Sequence, residues 1–463
     1  MRYEMKIAII AAETLPFSKS GGLADYVYSL SNALSAAGHE VDVITPDYGE
    51  KTPPGSPSYS VNGATFGVTV QKTGGWSALK LSNAEFFGRP EMYGYDDDNR
   101  RFAYFAAAAA EAVSAGSYDT VHCNDWQTGF VPLLLKQKGS AVRSIFTIHN
   151  LQFHGNSPPS IMGEIGINQS YFGIEGIEFY GNVSAMKAGI VYSDRIVTVS
   201  PTYSREIQTE KYGFGMDGII RKHSARLSGI LNGIDYKMWN PSTDALLPAN
   251  YSLRAINGKS ACKSALQRTF SLPQVKRPLI VSIGRLWAQK GIDLLIDALD
   301  DIEGGFQFII LGTGDRDLMN RIQEKAASDI NVRAVLRYDE ELAHRMYAAS
   351  DIFAMPSRFE PCGLSQMICM RYGSVPVVRR TGGLADTVKD FDPDTAEGNG
   401  FVFEDESEEQ LAYALTRAVQ TFSLPETWSV LVRNCMSTDH SWEASAKKYE
   451  SLYAELIRQT RVS

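Results

Sequence analysis

The segment Pro356–Gln366 combines a carboxylate, a thiol and a glycine directly before a predicted helix that ends at Gly373. Glu360 can accept hydrogen bonds from hydroxyl groups, while the free amide groups of Gly363–Ser365 can face an anion. The structural alternative is a glutamate that only caps the helix. The pattern favours a ligand that carries both hydroxyl groups and a phosphate.

A second set of polar residues also lies in the second half of the chain, in loops that follow other predicted strands. Arg285 and Lys290, in the loop Gly284–Gly291, are the types that neutralise a diphosphate, Arg as a fork and Lys as a point charge. Arg379–Leu384 is another loop that follows a predicted strand, and it contains two arginines and two glycines. Tyr338, after another apolar stretch, could stack on a base. Cations in loops are often only solvated, so these residues indicate an anion site without proving one.

The first half carries a comparable loop, Ser18–Asp25, between a strand and a helix. Gly21 and Gly22 let the backbone approach a ligand closely, and Lys19 adds a mobile positive charge. The spacing matches neither a dinucleotide fingerprint nor a Walker loop. A glycine pair at a helix start is often architectural, which is the alternative interpretation.

Two polar clusters, His122–Trp126 and Thr147–Asn150, follow strand-like runs of the first half. They are expected at the edge of a parallel sheet where ligands bind. A single histidine is more often a hydrogen-bonded core residue, and Trp126 could either stack on a sugar or only pack. An aspartate and a tryptophan beside two histidines nevertheless favour a site.

The elements that must position these residues alternate between strand and helix in both halves. In the first half, strands are predicted at 6–12, 41–45, 120–123, 144–148 and 195–199, with a helix at 23–37. In the second half, strands are predicted at 278–284, 306–311, 351–355 and 375–378, with a helix at 291–299. This alternation predicts an α/β fold of two Rossmann-like, doubly wound lobes facing a central cleft.

Domain limits follow from the turn-rich stretch Asn240–Asp244, which suits a hinge. We predict an N-terminal lobe over residues 1–241 and a C-terminal lobe over 242–445. Residues 446–463 are predicted to form a helix that packs back on the N-terminal lobe.

Composition limits the possible partners and location. The 463 residues carry a net charge of -8, which disfavours a general nucleic-acid binder. Five scattered cysteines without a CxxC pair fit a reducing cytoplasm and no structural zinc. The apolar run Ile7–Ala12 is interpreted as a strand and not a signal peptide, and no run is long enough to span a membrane.

Asp315–Asp317 resembles a metal-binding motif but falls at a probable helix start, so no metal and no cofactor are expected.

The motifs SKSGGLAD, HCNDW, TIHN, LNGID, GRLWAQKG, PSRFEPCGLSQ and RRTGGLADTV occur in this order. In this set and order, and over essentially the whole chain, the sequence resembles bacterial glycogen synthases and plant starch synthases. The resemblance implies the GT-B fold and transfer of glucose with retention of anomeric configuration. It also implies ADP-glucose as donor, a glycogen or maltooligosaccharide end as acceptor, and release of ADP.

The resemblance also implies roles for matching residues. Lys19 would contact the donor diphosphate, and Arg285 and Lys290 would stabilise the departing ADP. Glu360 would hold the transferred glucose, with His149 beside its reacting carbon. The residues assigned to catalysis are Glu360, His149, Arg285, Lys290 and Asp125. Those assigned to donor binding are Lys19, Gly21, Gly22, Asn150, Asn232, Tyr338 (near adenine), Cys362, Gly363, Leu364, Ser365, Thr381 and Gly382.

Three alternatives differ from this interpretation. Related GT-B enzymes that glycosylate sucrose or lipids often carry a second glutamate eight positions after the first, and here that position is Ile368. A two-lobed sugar-binding protein would normally be secreted and would not need the cations. A catalytically inactive relative would not need to keep every charged position. The choice between ADP-glucose and UDP-glucose stays open on physical grounds.

Overall fold

The computed structural model describes residues 4–49, 53 and 55–462. The chain forms two compact units. The first runs to Gly233 and includes the terminal segment from Trp442, and the second covers Ile234–Ser441. The predicted limits at 241 and 445 lie a few residues further along the chain.

The first unit contains a nine-stranded sheet with the order β12-β11-β7-β6-β1-β2-β5-β4-β3. Strands β12 through β5 pair in parallel, whereas β3 and β4 add an antiparallel edge. A small antiparallel sheet has the order β8-β10-β9. The strands are β1 Lys6–Ile10, β2 Glu40–Pro46, β3 Ser58–Val61, β4 Ala64–Thr73, β5 Trp76–Ser82, β6 Thr120–Asn124, β7 Arg143–Ile148, β8 Asn156–Ser157, β9 Glu178–Phe179, β10 Asn182–Ser184, β11 Arg195–Thr198 and β12 Leu227–Gly229.

The helices of the first unit cover this sheet, whose central strands consist of apolar runs buried on both faces. They are α1 Gly22–Ala36, α2 Ala84–Phe87, α3 Asp98–Ala115, α4 Phe130–Gln137, α5 Ile161–Glu164, α6 Ala185–Tyr192, α7 Pro201–Glu206, α8 Glu210–Gly213, α9 Asp217–Lys222 and the terminal α18 Trp442–Val462.

The terminal helix α18 is part of the core of the first unit. Trp442, Tyr449 and Tyr453 are buried in one cluster with α1 and the central strands. Tyr26 of α1 donates a hydrogen bond to the Tyr449 hydroxyl at 2.9 Å. The apolar face of α18 is therefore buried against α1 and the central strands of the nine-stranded sheet.

The second unit is built on one six-stranded sheet with the order β15-β14-β13-β16-β17-β18, in which all pairs are parallel. Its strands are β13 Leu279–Ile283, β14 Gln307–Leu311, β15 Val332–Val335, β16 Ile352–Met355, β17 Val375–Arg379 and β18 Phe401–Phe403. Its helices are α10 Asn257–Thr269, α11 Ile292–Ala298, α12 Arg316–Ser328, α13 Glu340–Ala349, α14 Ser365–Arg371, α15 Gly382–Thr387, α16 Glu408–Phe422 and α17 Pro425–Ser437.

The predicted strands and helices agree with these bounds to within two residues, except that the terminal helix begins four residues before the predicted position 446. The antiparallel edge formed by β3 and β4, together with the small sheet, was absent from the sequence prediction. Of the helices that the structure describes, none is long and apolar enough to cross a membrane.

Candidate active site

Two strands of the first unit bring polar residues together at their carboxyl ends. Strand β6 ends at Asn124 and β7 at Ile148, and the two strands are direct neighbours, with Asn124 opposite Thr147. Asp125 and His149 are consequently adjacent, as the sequence predicts for parallel strands. The Asp125 carboxylate accepts hydrogen bonds from the backbone N–H of His149 at 2.7 Å and of Asn150 at 3.3 Å.

Asp125 has an unusual backbone conformation, with φ 56° and ψ 179°. This region is almost restricted to glycine and costs a non-glycine residue about 1–3 kcal/mol. Burial raises the pKa of the Asp125 carboxyl to about 7, although the two N–H donors act in the opposite direction. A strained and partly protonated carboxyl group at a strand end is typical of a functional site.

His149 is held as a neutral imidazole. Its Nε2 lies 3.0 Å from Asn124 Oδ1. Because the Asn124 amide nitrogen donates to the Ile10 carbonyl, its oxygen is the acceptor and Nε2–H is the donor. The edge of Tyr26 packs against the imidazole at 4.5 Å between ring centroids, and burial lowers the pKa of His149 to about 3.

The other histidine of this region, His122, is a core residue. It is fully buried, with Nε2 2.6 Å from Thr147 Oγ1 and Nδ1 2.8 Å from the Tyr453 hydroxyl of the terminal helix. Burial lowers its pKa to about 3. For His122 the structural alternative raised from the sequence is therefore correct.

The loop after β1 contributes a carboxylate that the sequence analysis did not select. Glu13 is buried and accepts a hydrogen bond from the Ser20 N–H at 2.5 Å, and burial raises its pKa. Its charge also contributes to the raised pKa of Asp125. An acidic residue that interrupts the apolar run of β1 was the available signal. Lys19, in the same loop, forms a 2.9 Å ion pair with Asp25 in the first turn of α1, next to Gly21 and Gly22.

Two further residues of the first unit differ in their freedom to bind a ligand. Trp126 packs against Phe102, with ring centroids 5.4 Å apart, and against Gly155, where a Cβ would lie 2.4 Å from the indole. Packing, the alternative interpretation, therefore describes Trp126. Asn232 is buried, and its Oδ1 has no hydrogen-bond partner among the residues that the structure describes. Such an unsatisfied acceptor is available to a ligand hydroxyl group.

In the second unit, Lys290 and Glu360 form an ion pair. The Lys290 ammonium lies 2.6 Å from Glu360 Oε2, which also accepts a 3.0 Å hydrogen bond from the Ser357 hydroxyl. The glutamate is only 6% exposed. Both contacts are made by Oε2. The carboxylate does not cap α14, contrary to the structural alternative.

This pair corrects one sequence-based expectation. Lys290 was expected to be a solvated lysine whose removal leaves folding nearly untouched. Because it neutralises a buried carboxylate, its removal leaves that charge without its partner, which destabilises a fold.

Two arginines hold the Glu360 loop in place. Arg358 makes two 2.7 Å bonds to the Asp293 carboxylate and also contacts the Ala288 carbonyl in the loop that carries Lys290. The buried Arg379 donates to the Ser357 carbonyl at 3.1 Å and to the Arg358 carbonyl. The relative position of Lys290 and Glu360 is thus fixed by backbone and side-chain contacts.

The helix starts around Glu360 are packed backbone against backbone. A Cβ on Gly382 would lie 1.9 Å from the Glu360 carbonyl, and one on Gly383 2.0 Å from the Cys362 carbonyl. Gly383 N–H donates to the Glu360 carbonyl at 3.0 Å. The start of α15, with Thr381 at its N-cap, therefore lies directly on the Glu360 loop.

The segment between Glu360 and α14 forms a tight turn. Gly363 has φ +72°, and a Cβ there would meet the Gln366 side chain at 2.4 Å. Gln366 donates to the carbonyl groups of Cys362 and Gly363 at 3.1 and 3.0 Å. Leu364 is the N-cap residue of α14 and Ser365 is its first residue. The backbone N–H groups at this helix start, which were predicted to face an anion, therefore have no partner within the helix.

Arg285 and Tyr338 are exposed residues of the predicted donor site in the second unit. The Arg285 guanidinium lies over the Trp287 ring at 5.3 Å. Tyr338 is 74% exposed and donates a 3.0 Å hydrogen bond to Glu340. Both side chains belong to loops at the carboxyl end of the parallel sheet, after β13 and β15.

Asp315, in the segment that resembles a metal-binding motif, is the N-cap of α12. Its carboxylate accepts from the N–H groups of Asp317 and Leu318 at 2.9 and 3.1 Å, so a helix does begin here. Over residues 4–49, 53 and 55–462, no group of three or more His, Cys, Asp or Glu side chains could hold a metal ion.

The chain matches two families of known proteins. Residues 6–222 match the starch synthase catalytic domain, and residues 265–429 match glycosyl transferases group 1. Relatives include the glycogen synthase of Geotalea uraniireducens, 42% identical over 97% of this chain and 98% of that protein. The glycogen synthase of Moorella thermoacetica is 41% identical over 100% of this chain and 99% of its own.

Solved structures agree with these matches. The catalytic domain of starch synthase IV from Arabidopsis thaliana, bound to ADP and acarbose, is 36% identical with a TM-score of 0.91, covering 98% of this chain and 100% of that one. Sucrose-phosphate synthase from Thermosynechococcus elongatus shares the fold, with a TM-score of 0.65 at 21% identity over 98% of this chain and all of its own. The chain therefore belongs to the glycogen and starch synthase family of glycosyltransferases and has the GT-B fold.

Proposed function

We propose that the enzyme transfers glucose from ADP-glucose to the non-reducing end of an α-1,4-glucan, with retention of configuration and release of ADP. The observation that carries this proposal is the Lys290–Glu360 pair. It places a carboxylate oxygen that can bind a sugar hydroxyl beside a cation that can bind a phosphate. The relatives named as glycogen synthases, and the relative bound to ADP and acarbose, support the choice of donor and acceptor.

The leaving group departs as ADP when the bond between the glucose C1 and the diphosphate oxygen breaks. Arg285 and Lys290 are the cations proposed to neutralise the charge that develops on the diphosphate. The amide groups of Gly363–Ser365 are proposed as further donors to it. Lys290 can exchange part of its contact with Glu360 for the phosphate because its side chain is 27% exposed.

The sugar carbon gains positive character as the leaving group departs. The proposal assigns its stabilisation to the His149 carbonyl, because the neutral imidazole adds no opposing positive charge. Asp125 accepts at 3.3 Å from the Asn150 N–H, which belongs to the same peptide group as the His149 carbonyl, and so orients that peptide. The acceptor 4-hydroxyl attacks C1 from the side of the departing phosphate, and its proton passes to a phosphate oxygen.

Nucleotide and glucan assays test the proposal directly. The protein is incubated with ADP-glucose or UDP-glucose plus glycogen, and chain extension and nucleotide release are measured together. Transfer from ADP-glucose, abolished or strongly reduced in Lys290→Ala, is the expected result. Nucleotide release without chain extension would indicate a hydrolase, and absence of both would reject the proposal.

A cytoplasmic location is part of the proposal. It is supported by the five cysteines, which are all free thiols and all buried. Free thiols persist in reducing compartments. Measurement of enzyme activity in fractionated cells tests this assignment.

A further inference from the structure

The hairpin between β9 and β10 turns through Tyr180 and Gly181, and both residues have positive φ, 49° and 80°. Asn182 pairs with Phe179 in antiparallel register, so the turn has two residues. Two-residue turns with two positive φ angles strongly prefer Asn-Gly or Asp-Gly. A tyrosine is strained there, because its Cβ crowds the backbone in the left-handed region.

Burial does not compensate for this strain. Tyr180 is 80% exposed, whereas the adjacent Phe179 is buried. The tyrosine therefore gains little hydrophobic stabilisation in return for an unfavourable backbone conformation. Folding alone would favour asparagine at this position, which indicates that the aromatic ring serves another purpose.

The ring is held on a rigid support. Phe179 contacts Tyr180 edge to face at 4.7 Å between centroids, and the Gly181 N–H donates to the Glu178 carboxylate at 2.7 Å. The buried ammonium of Lys187 donates to the carbonyl groups of both Glu178 and Ile174 at 2.6 Å. The side chain of Ile174 is also 80% exposed. Lys187 thus fixes the backbone of Ile174 as well as the backbone of the hairpin that carries Tyr180.

A second aromatic–glycine pair lies against this hairpin. Phe214 and Gly215 also have positive φ, 48° and 81°. A Cβ on Gly215 would lie 3.7 Å from the Tyr180 hydroxyl oxygen and 3.8 Å from Cε2. The glycine thus supports one edge of the tyrosine ring and leaves the remainder open to solvent.

The hairpin is connected to the candidate active site. Met186 N–H and the Ser184 hydroxyl both donate to the His154 carbonyl at 3.0 Å, and the His154 ring packs on Phe179. His154 follows His149 by five residues, which span at most roughly 18 Å even when fully extended. A polymer whose end reacts beside His149 can therefore extend to the hairpin.

From these observations we infer that Tyr180 is a stacking surface for the body of the glucan acceptor, outside the reacting end. The inference rests on the proposed function, which supplies a long, uncharged polymer as substrate. The C–H face of a glucose ring matches the face of an aromatic side chain whose hydroxyl stays in water.

The charges around the hairpin favour a neutral ligand. The Glu178 carboxylate interacts electrostatically with the Lys187 ammonium, and Glu175 is paired with Lys222, so these local charges are already compensated. An anionic membrane surface is attracted by a cluster of cations that are not neutralised in this way. A glucan needs only the aromatic face and hydrogen-bonding groups such as Asn182.

Replacement of Tyr180 by Asn separates folding from binding. Because Asn suits the left-handed conformation, the midpoint of thermal unfolding should rise by about 2 °C. The KM for glycogen should rise about two- to tenfold, because one aromatic contact is lost. The kcat, the KM for ADP-glucose and the KM for maltotriose should stay unchanged, since the reacting end is untouched.

Two variants serve as controls. Tyr180→Phe keeps the ring and should keep the glycogen KM of the unaltered enzyme. Tyr413→Ala removes a tyrosine that is 67% exposed on α16 of the second unit, and it should leave the glycogen KM unchanged. Affinity electrophoresis in glycogen gels measures binding without catalysis, so it tests the surface even if no transfer from ADP-glucose is detected.

An unchanged glycogen KM and unchanged gel retardation in Tyr180→Asn would overturn the inference. A loss of self-association in sedimentation experiments, with glycogen binding intact, would also overturn it by making a second copy the occupant. Reduced retardation of Tyr180→Asn, with normal retardation of Tyr413→Ala, would support it. Failure of all transfer in the unaltered enzyme would instead count against the proposed function.

Discussion

Replacement of Glu360 by Gln removes one negative charge and almost no volume from the candidate active site. In the native site Oε2 binds Lys290 and Ser357, and Oε1 is the oxygen that we propose binds the sugar. In the variant the amide oxygen should remain on Lys290, because an ammonium group only donates. The NH2 group would then face the sugar and present a donor where an acceptor is required.

The size of the effect follows from the contacts. A hydrogen bond to a charged group contributes about 1.5–3 kcal/mol, and loss of one preorganised contact to a transition state costs about 10²–10³ in kcat. We therefore expect kcat to fall by about a hundredfold. Loss of a buried partner costs up to ~3–5 kcal/mol, but Lys290 is 27% exposed and can be solvated. The free energy of unfolding should fall by only about 1–2 kcal/mol.

The assay pairs two measurements on the same preparation. Steady-state transfer to a maltooligosaccharide gives kcat, and calorimetry gives the affinity for ADP. Because ADP contains no glucose, its Kd should stay within about threefold of the native value. Glu404→Gln is the matched control, since Glu404 is an exposed carboxylate paired with Arg380 at 2.5 Å, and it should leave both quantities unchanged.

Two results would contradict this reasoning. A kcat close to the native value would show that the carboxylate does not hold the reacting sugar. An equal loss of ADP affinity would show that the site had collapsed, in which case the fall in kcat would carry no information about the glucose contact.

Two further predictions concern the charged groups of the site. Lys290→Ala should lower kcat by about a hundredfold or more and the free energy of unfolding by about 1–3 kcal/mol, as measured by steady-state kinetics and urea titration; unchanged kinetics would remove Lys290 from the mechanism. The folded-state pKa of Asp125, about 7, lies above its ordinary value of 3.8. The native state therefore binds the extra proton, and the stability of the native enzyme relative to Asp125→Asn should fall as pH rises from about 4 through 7. A difference in unfolding free energy that is independent of pH would contradict the raised pKa.

The positions of Asp125 and His149 could be predicted from the sequence. Each follows an apolar run long enough for a buried strand, and strands of a parallel sheet end at the same edge. Their adjacency needed only the pairing of β6 with β7. The glycine pairs at the starts of α1 and α15 were predictable in the same way, because each follows a predicted strand of a parallel sheet.

The contacts of Glu360 were not predictable by this reasoning. Lys290 is 70 residues away in sequence, and its pairing depends on how Arg358 and Arg379 fix two loops, which no local pattern encodes. The edge formed by β3 and β4 was missed because its residues are largely exposed and lack a strong apolar run. Glu13 was missed because a single glutamate after a strand carries no pattern, and its burial results from tertiary packing.

The terminal helix has a consequence for the order in which the protein folds during synthesis. The core of the first unit includes Trp442, Tyr449 and Tyr453, which are translated about 200 residues after the unit's other elements. At roughly 5–20 residues per second, the ribosome needs on the order of 10–40 s to supply them. The second unit is complete at Ser441, so it can finish folding first although it is encoded later. During that interval the nascent first unit exposes the apolar surface that α18 will cover.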